Sequence, residues 1–156
     1  MKIQDILFRN AVLIDLKPAE KNDVITQMGQ FLSSIHTIKD PDTLVQKMLE
    51  REAVVSTGIG FGIAIPHTRT DLVDTICMVS ARCVQGIEFD SLDEQPVYLI
   101  FMLASPPDKS DDLRHLLSSL SKIMSYEDMR EKLLAASDPE AFINLIINGE
   151  NKYVTK

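Results

Sequence analysis

VYLIFML, residues 97–103, is almost unbroken in its apolar character, and that continuity decides the fold class. A strand with one wet face alternates apolar and polar residues, whereas a strand covered on both faces does not. Residues 97–103 are therefore expected at the centre of a sheet. Downstream, Pro106-Pro107 ends the strand, and Asp111-Asp112 opens a helix whose Leu113, Leu116, Leu117, Leu120 and Met124 face inward. His115 rides on the first turns of that helix, off the leucine stripe. Upstream, the polar turn 90–95 leads back to a second strand at 76–81, with 87–89 as a short edge piece.

Towards the N-terminus, 12–16 reads as a strand broken at Lys17-Pro18. Val24, Ile25, Met28, Phe31, Leu32 and Ile35 then recur at helical spacing, which predicts a helix ending near Ser34 and leaves His36 in an exposed turn. Asp40-Pro41-Asp42 starts a second helix with Leu44, Val45, Met48 and Leu49 on one face and Arg51 at its end. A last helix begins around Ser137-Asp138-Pro139, buries Phe142, Leu145 and Ile146, and stops at Asn148-Gly149. Strands alternating with helices place the chain in the α/β class, as a single-domain sandwich with a largely buried β-sheet. Residues 1–150 form that domain and 151–156 a frayed tail.

The bulk properties agree. A chain of 156 residues, 45% hydrophobic and 25% charged, is one ordinary domain. At that size folding removes roughly 70% of the unfolded surface from water, so no disulfide, metal or cofactor is needed to hold the core. Sixteen Lys and Arg against 23 Asp and Glu leave a net charge of −7, which argues against nucleic acid and anionic membrane as partners. Cys77 and Cys83 are expected as buried free thiols. The opening MKIQDILFRN has no apolar core of a signal peptide, and no run approaches the ~20 residues that cross a bilayer. A cytoplasmic location is expected.

The chemistry concentrates in residues 51–69, REAVVSTGIGFGIAIPHTR. Gly58, Gly60 and Gly62 are spaced so that successive backbone N–H groups can turn towards one concavity and bind phosphate oxygens, although tight turns alone would also explain them. Thr57 caps or supports that loop. Ile63-Ala64-Ile65 forms a short strand stopped by Pro66, so His67 projects from a stiff strand end. Phosphoryl transfer asks for positioning and charge stabilisation, and Arg51 is the candidate guanidinium fork. A cation closing a helix is the plainer role for Arg51. Neutral imidazole is nucleophilic near pH 7 and, once phosphorylated, a good leaving group, which suits a carrier. His115 is a second histidine that can orient His67 or meet the phosphoryl group if the fold brings the two together. The spacing G-x-G-x-G followed by a strand does not suit a dinucleotide site, and His36, His67 and His115 lack metal-ligand spacing. No metal and no cofactor are expected.

TGIGFGIAIPH, preceded by Arg51-Glu52, resembles the phosphorylation-site signature of phosphotransferase-system enzyme IIA domains of the fructose/mannitol type. PVYLIFMLASP and DDLRHLLSSLSKIM resemble the later strand and the histidine-bearing helix of the same family. The resemblance implies a mannitol-specific IIA-like fold, with a mixed sheet between helices, an active-site histidine at His67, a neighbouring histidine at His115 and a phosphate-binding arginine at Arg51. It also implies phosphorylated HPr as donor and a cysteine of a IIB domain as acceptor. Phe61 stands where many relatives carry a small polar residue, a departure that bears on partner preference rather than on the histidine.

Two outputs follow from the resemblance: a phosphotransferase component for sugar uptake, or a nitrogen-type regulatory switch whose phosphorylation state controls a transporter or kinase. No IIB or IIC segment is visible, which leans towards regulation. A third reading is a phosphate-binding or hydrolytic module that keeps the loop without transfer, with His67 as a base.

Overall fold

In the computed structural model, which describes residues 1–154, the strands are β1 (Val12–Leu13), β2 (Gly58–Gly60), β3 (Ile63–Ala64), β4 (His67–Arg69), β5 (Cys77–Ile87) and β6 (Val97–Ser105). The helices are α1 (Lys21–Ile35), α2 (Pro41–Val54), α3 (Ser110–Met124), α4 (Glu127–Ala135) and α5 (Pro139–Tyr153). The sheet runs β1-β5-β6-β3-β2, with β4 also pairing β6. It is mixed: β5 and β6 are antiparallel, while β3 and β4 follow one another in parallel along the other side of β6. The apolar run at 97–103 is thus the central strand, and of β6 only Tyr98 is not fully buried. Helices flank the sheet: α1 packs on α2 and β5, and α3, α4 and α5 pack on one another.

Local chemistry explains where the helices begin. Asp40 accepts the Thr43 amide and Asp138 the Ala141 amide, each with proline at the first helical position, so both predicted starts hold. Leu113, Leu116, Leu120 and Met124 are buried from α3, as their spacing requires. Cys77 and Cys83 are buried free thiols.

Several expected boundaries shift. The 12–16 strand shrinks to Val12–Leu13, and the 76–81 strand lengthens to Cys77–Ile87, which absorbs part of the supposed edge piece. Phe89 is fully buried beyond the strand's end. His36 closes α1 but is half-buried rather than exposed. Helix α4 was not expected at all, because its charged sequence buries only Met129 and Leu133. Helix α5 does not stop at Gly149. A Cβ there would lie 2.8 Å from Met129 Cε and 3.2 Å from Ile123 Cγ2, so the glycine serves close helix packing rather than a cap. Residues 151–153 are therefore helical, Val154 is a turn residue, and 155–156 lie outside the described residues.

Two buried charged side chains tie the layers together. Arg82 of β5 donates to the carbonyls of Ile14, Leu133, Leu134 and Ala136, so one guanidinium closes the end of α4 onto the sheet. Glu150 of α5, 1% exposed, accepts the amides of Ile3 and Gln4 and fixes the N-terminal turn.

Candidate active site

β4 carries His67 at its start, and the sheet holds it firmly. The Leu103 amide donates to the Pro66 carbonyl at 3.0 Å, His67 pairs with Leu103, and the Thr70 amide donates to Ser105 at 2.8 Å. Pro66 fixes φ between Ile65 and His67, and across it Nδ1 of His67 lies 2.7 Å from the Ile65 carbonyl oxygen. A carbonyl can only accept, so Nδ1 carries the proton and Nε2 keeps the free lone pair. Burial pushes the imidazole pKa below its ordinary value, and Arg51 and Arg69 push the same way, against the Ile65 carbonyl and Glu52. The neutral, nucleophilic form is favoured.

His67 shares a cavity of about 330 Å³ with Arg51, Thr68 and Arg69. Arg51, in the last turn of α2, also donates to the Val55 carbonyl at 3.4 Å, so it closes the helix and faces the histidine at once. The structure thus brings Arg51 and His67 together. His115 is exposed on the second turn of α3 and is not among the residues lining this cavity.

The glycine run departs from expectation. β2 and β3 form a tight antiparallel hairpin in which Gly60, Phe61 and Gly62 all have positive φ. A Cβ on Gly58 would meet Ser91 Oγ at 2.3 Å, so this glycine is required by the loop that packs on it. The N–H of Gly58 goes to Ser56 and that of Phe61 to Asp93, and none of Gly58, Gly60 and Gly62 lines the cavity. The run forms a turn, with its Gly58 and Phe61 amides committed within the loop. Thr57 is likewise committed elsewhere: its amide and hydroxyl both donate to Glu52, at 2.7 and 2.6 Å. It supports the loop and has no donor left for an anion.

Glu52, Lys21 and Arg69 were missed from sequence. Glu52 is 4% exposed and also pairs with Lys21 at 3.0 Å, which fixes the segment after Arg51. Its signal was faint, one of three carboxylates in a polar helix. Arg69 follows from alternation, which puts residues i and i+2 of a strand on one face, but the strand expected from sequence ended before Pro66 and none was expected at His67–Arg69.

A cavity with a neutral histidine, a free Nε2 and two guanidinium groups suits a phosphoryl acceptor. The family model described as phosphoenolpyruvate-dependent sugar phosphotransferase system, EIIA 2, matches residues 5–149. The chain belongs to this family. As an EIIA domain it is a phosphotransferase component. It is 36% identical over 129 residues to the fructose-specific EIIA component of Haloferax volcanii, covering 83% of this chain and 84% of that one. It is 35% identical over 152 residues to the fructose-specific EIIABC component of Bacillus subtilis, covering 97% of this EIIA domain but only 24% of that longer protein. The crystal structure of nitrogen regulatory protein IIA-Ntr from Neisseria meningitidis superposes with a TM-score of 0.83 at 28% identity, over 92% of this chain and 98% of the other. The EIIA fold expected from sequence is the fold observed.

Proposed function

We propose that Nε2 of His67 accepts a phosphoryl group from phosphorylated HPr and passes it to a downstream partner. The hydrogen bond from Nδ1 to Ile65 carries this reading, because it leaves the lone pair on the nitrogen that must attack. In the transfer that lone pair forms the new N–P bond while the donor's P–N bond breaks, its electron pair returning to the donor imidazole. Nδ1 keeps its proton throughout. Arg51 offsets charge on the moving group, whose transition state is loose and needs positioning more than covalent help. His115, exposed on α3, would meet the phosphoryl group or a docked partner only once that partner is in place.

The downstream step has two supported forms. A relative whose name joins A, B and C components supports a IIB cysteine as acceptor. Likeness to a nitrogen regulatory protein over nearly the whole chain supports control of a transporter or kinase by phosphorylation state. Among the described residues no helix is long and apolar enough to cross a membrane. A cytoplasmic location for the domain, residues 1–150, belongs to the same reading, since the chain's likeness is to phosphotransferase-system IIA proteins.

The test is incubation with phosphoenolpyruvate, enzyme I and HPr. Alkali-stable, acid-labile label on the wild type, absent from His67→Ala, is the expected result. Label that persists in His67→Ala would overturn the assignment.

A further inference from the structure

The three equatorial oxygens of a phosphoryl group in flight need more donors than one arginine fork presents, since a bidentate guanidinium engages two. In the glycine hairpin the amides of Gly58 and Phe61 are bound to Ser56 and Asp93, and none of its three glycines lines the cavity. Of the residues that line the cavity with His67, Arg69 is the one besides Arg51 whose side chain carries positive charge. Arg69 stands two residues beyond His67 on β4, on the same face of the strand, and lines that cavity with Arg51 and Thr68. Among the described residues no carboxylate pairs with its guanidinium within 4.0 Å. An exposed arginine on an edge strand can also serve only to keep the edge soluble, but such a charge has no reason to share a cavity with the nucleophile.

We propose that Arg69 is a second phosphoryl-binding cation, which closes with Arg51 on the oxygens of the group as it passes from the donor imidazole to Nε2 of His67. The proposal rests on the His67 reading and adds a catalytic residue to it. The step stays balanced as written for His67, because Arg69 forms hydrogen bonds and exchanges no proton. Its charge is already felt at His67, where it acts with Arg51 to disfavour the protonated ring.

The experiment measures single-turnover transfer from phospho-HPr to wild type, Arg69→Gln and Arg69→Lys over a range of donor concentrations. Loss of one donor to a transition-state oxyanion costs roughly 100- to 1,000-fold at a dry site, and at this open one a drop of about 10- to 100-fold is expected. That drop should fall in the maximal rate of Arg69→Gln, with half-saturation by phospho-HPr within about twofold and partial recovery in Arg69→Lys. The NMR titration midpoint of His67 should rise in Arg69→Gln, which a merely structural side chain would not produce. A wild-type rate in Arg69→Gln overturns the proposal and leaves the His67 reading standing. A change confined to half-saturation makes Arg69 a docking contact and also overturns it. A wild type that takes no label overturns both. Should Arg69→Gln fail to melt like the wild type, Arg69→Lys alone decides, with a maximal rate equal to wild type counting against the clamp.

Discussion

Lys21 Nζ sits 3.0 Å from Glu52 Oε1, and the carboxylate it neutralises is the one that holds both donors of Thr57. Glu52 is 4% exposed, so its carboxylate depends on these partners rather than on bulk water. Glu52→Ala would leave the Lys21 ammonium with only Asp90, at 3.8 Å, and would orphan the Thr57 amide; removing one partner of a buried pair costs about 3–5 kcal/mol. Glu52→Gln should cost less, since the amide oxygen still accepts from Thr57. Urea unfolding of the two variants checks the order; equal stability of the two would mean that the retained amide oxygen recovers nothing and that the lost carboxylate charge carries the whole cost.

The pH dependence follows from the depressed pKa of His67. Burial is the main cause, so the imidazole stays neutral below the ordinary 6.5. Phosphoryl acceptance should therefore be flat from about pH 8 to below that value, then fall as one proton binds. For stability the sign is as follows: the unfolded histidine takes a proton near 6.5 while the folded one resists, so stability declines as pH falls from 6.5 to the folded pKa and the loss is complete below it. His67→Gln should flatten that component. A histidine titration followed by NMR settles it, a midpoint at or above 6.5 being the contrary result.

Arg82 is a structural cation. Its guanidinium fills gaps at three carbonyls ending α4 and, through Nε, at Ile14, with Asp15 at 4.0 Å as a distant ionic partner. Arg82→Met would leave these carbonyls without their donor, at a cost of about 3 kcal/mol, and Arg82→Lys should recover little because one ammonium cannot reproduce the fork. Chemical denaturation measures both, and a lysine variant as stable as wild type would show that charge rather than geometry matters.

Glu150→Ala should release the N-terminal turn. The amides of Ile3 and Gln4 lose their acceptor, which costs about 1–3 kcal/mol for buried donors. Hydrogen exchange at those two amides should accelerate more than at β6. Uniform acceleration across the sheet would instead indicate global destabilisation.

The parts of the fold that depend on repetition were plain in the sequence. Residues 97–103 announced a central strand, and the leucines after Asp111-Asp112 announced α3, because burial on both faces or on one stripe leaves a periodic trace. Helix α4 left none, having two buried residues among nine. The glycine run was read for its permissiveness, which is the same for a phosphate nest and for a hairpin; only the position of Ser91 against Gly58 separates them. His67 and Arg51 were visible through a signature. Arg82, Glu150 and Glu52 were not, since a buried charge is recognised by partners distant in sequence.

The bond from Leu103 to Pro66 has a consequence for traffic. A nucleophile stitched into a sheet cannot swing from one station to another, so whatever delivers the phosphoryl group and whatever removes it must use the same doorway, one after the other. An excess of uncharged acceptor should then slow loading by competition, and no ternary assembly of donor, domain and acceptor should form.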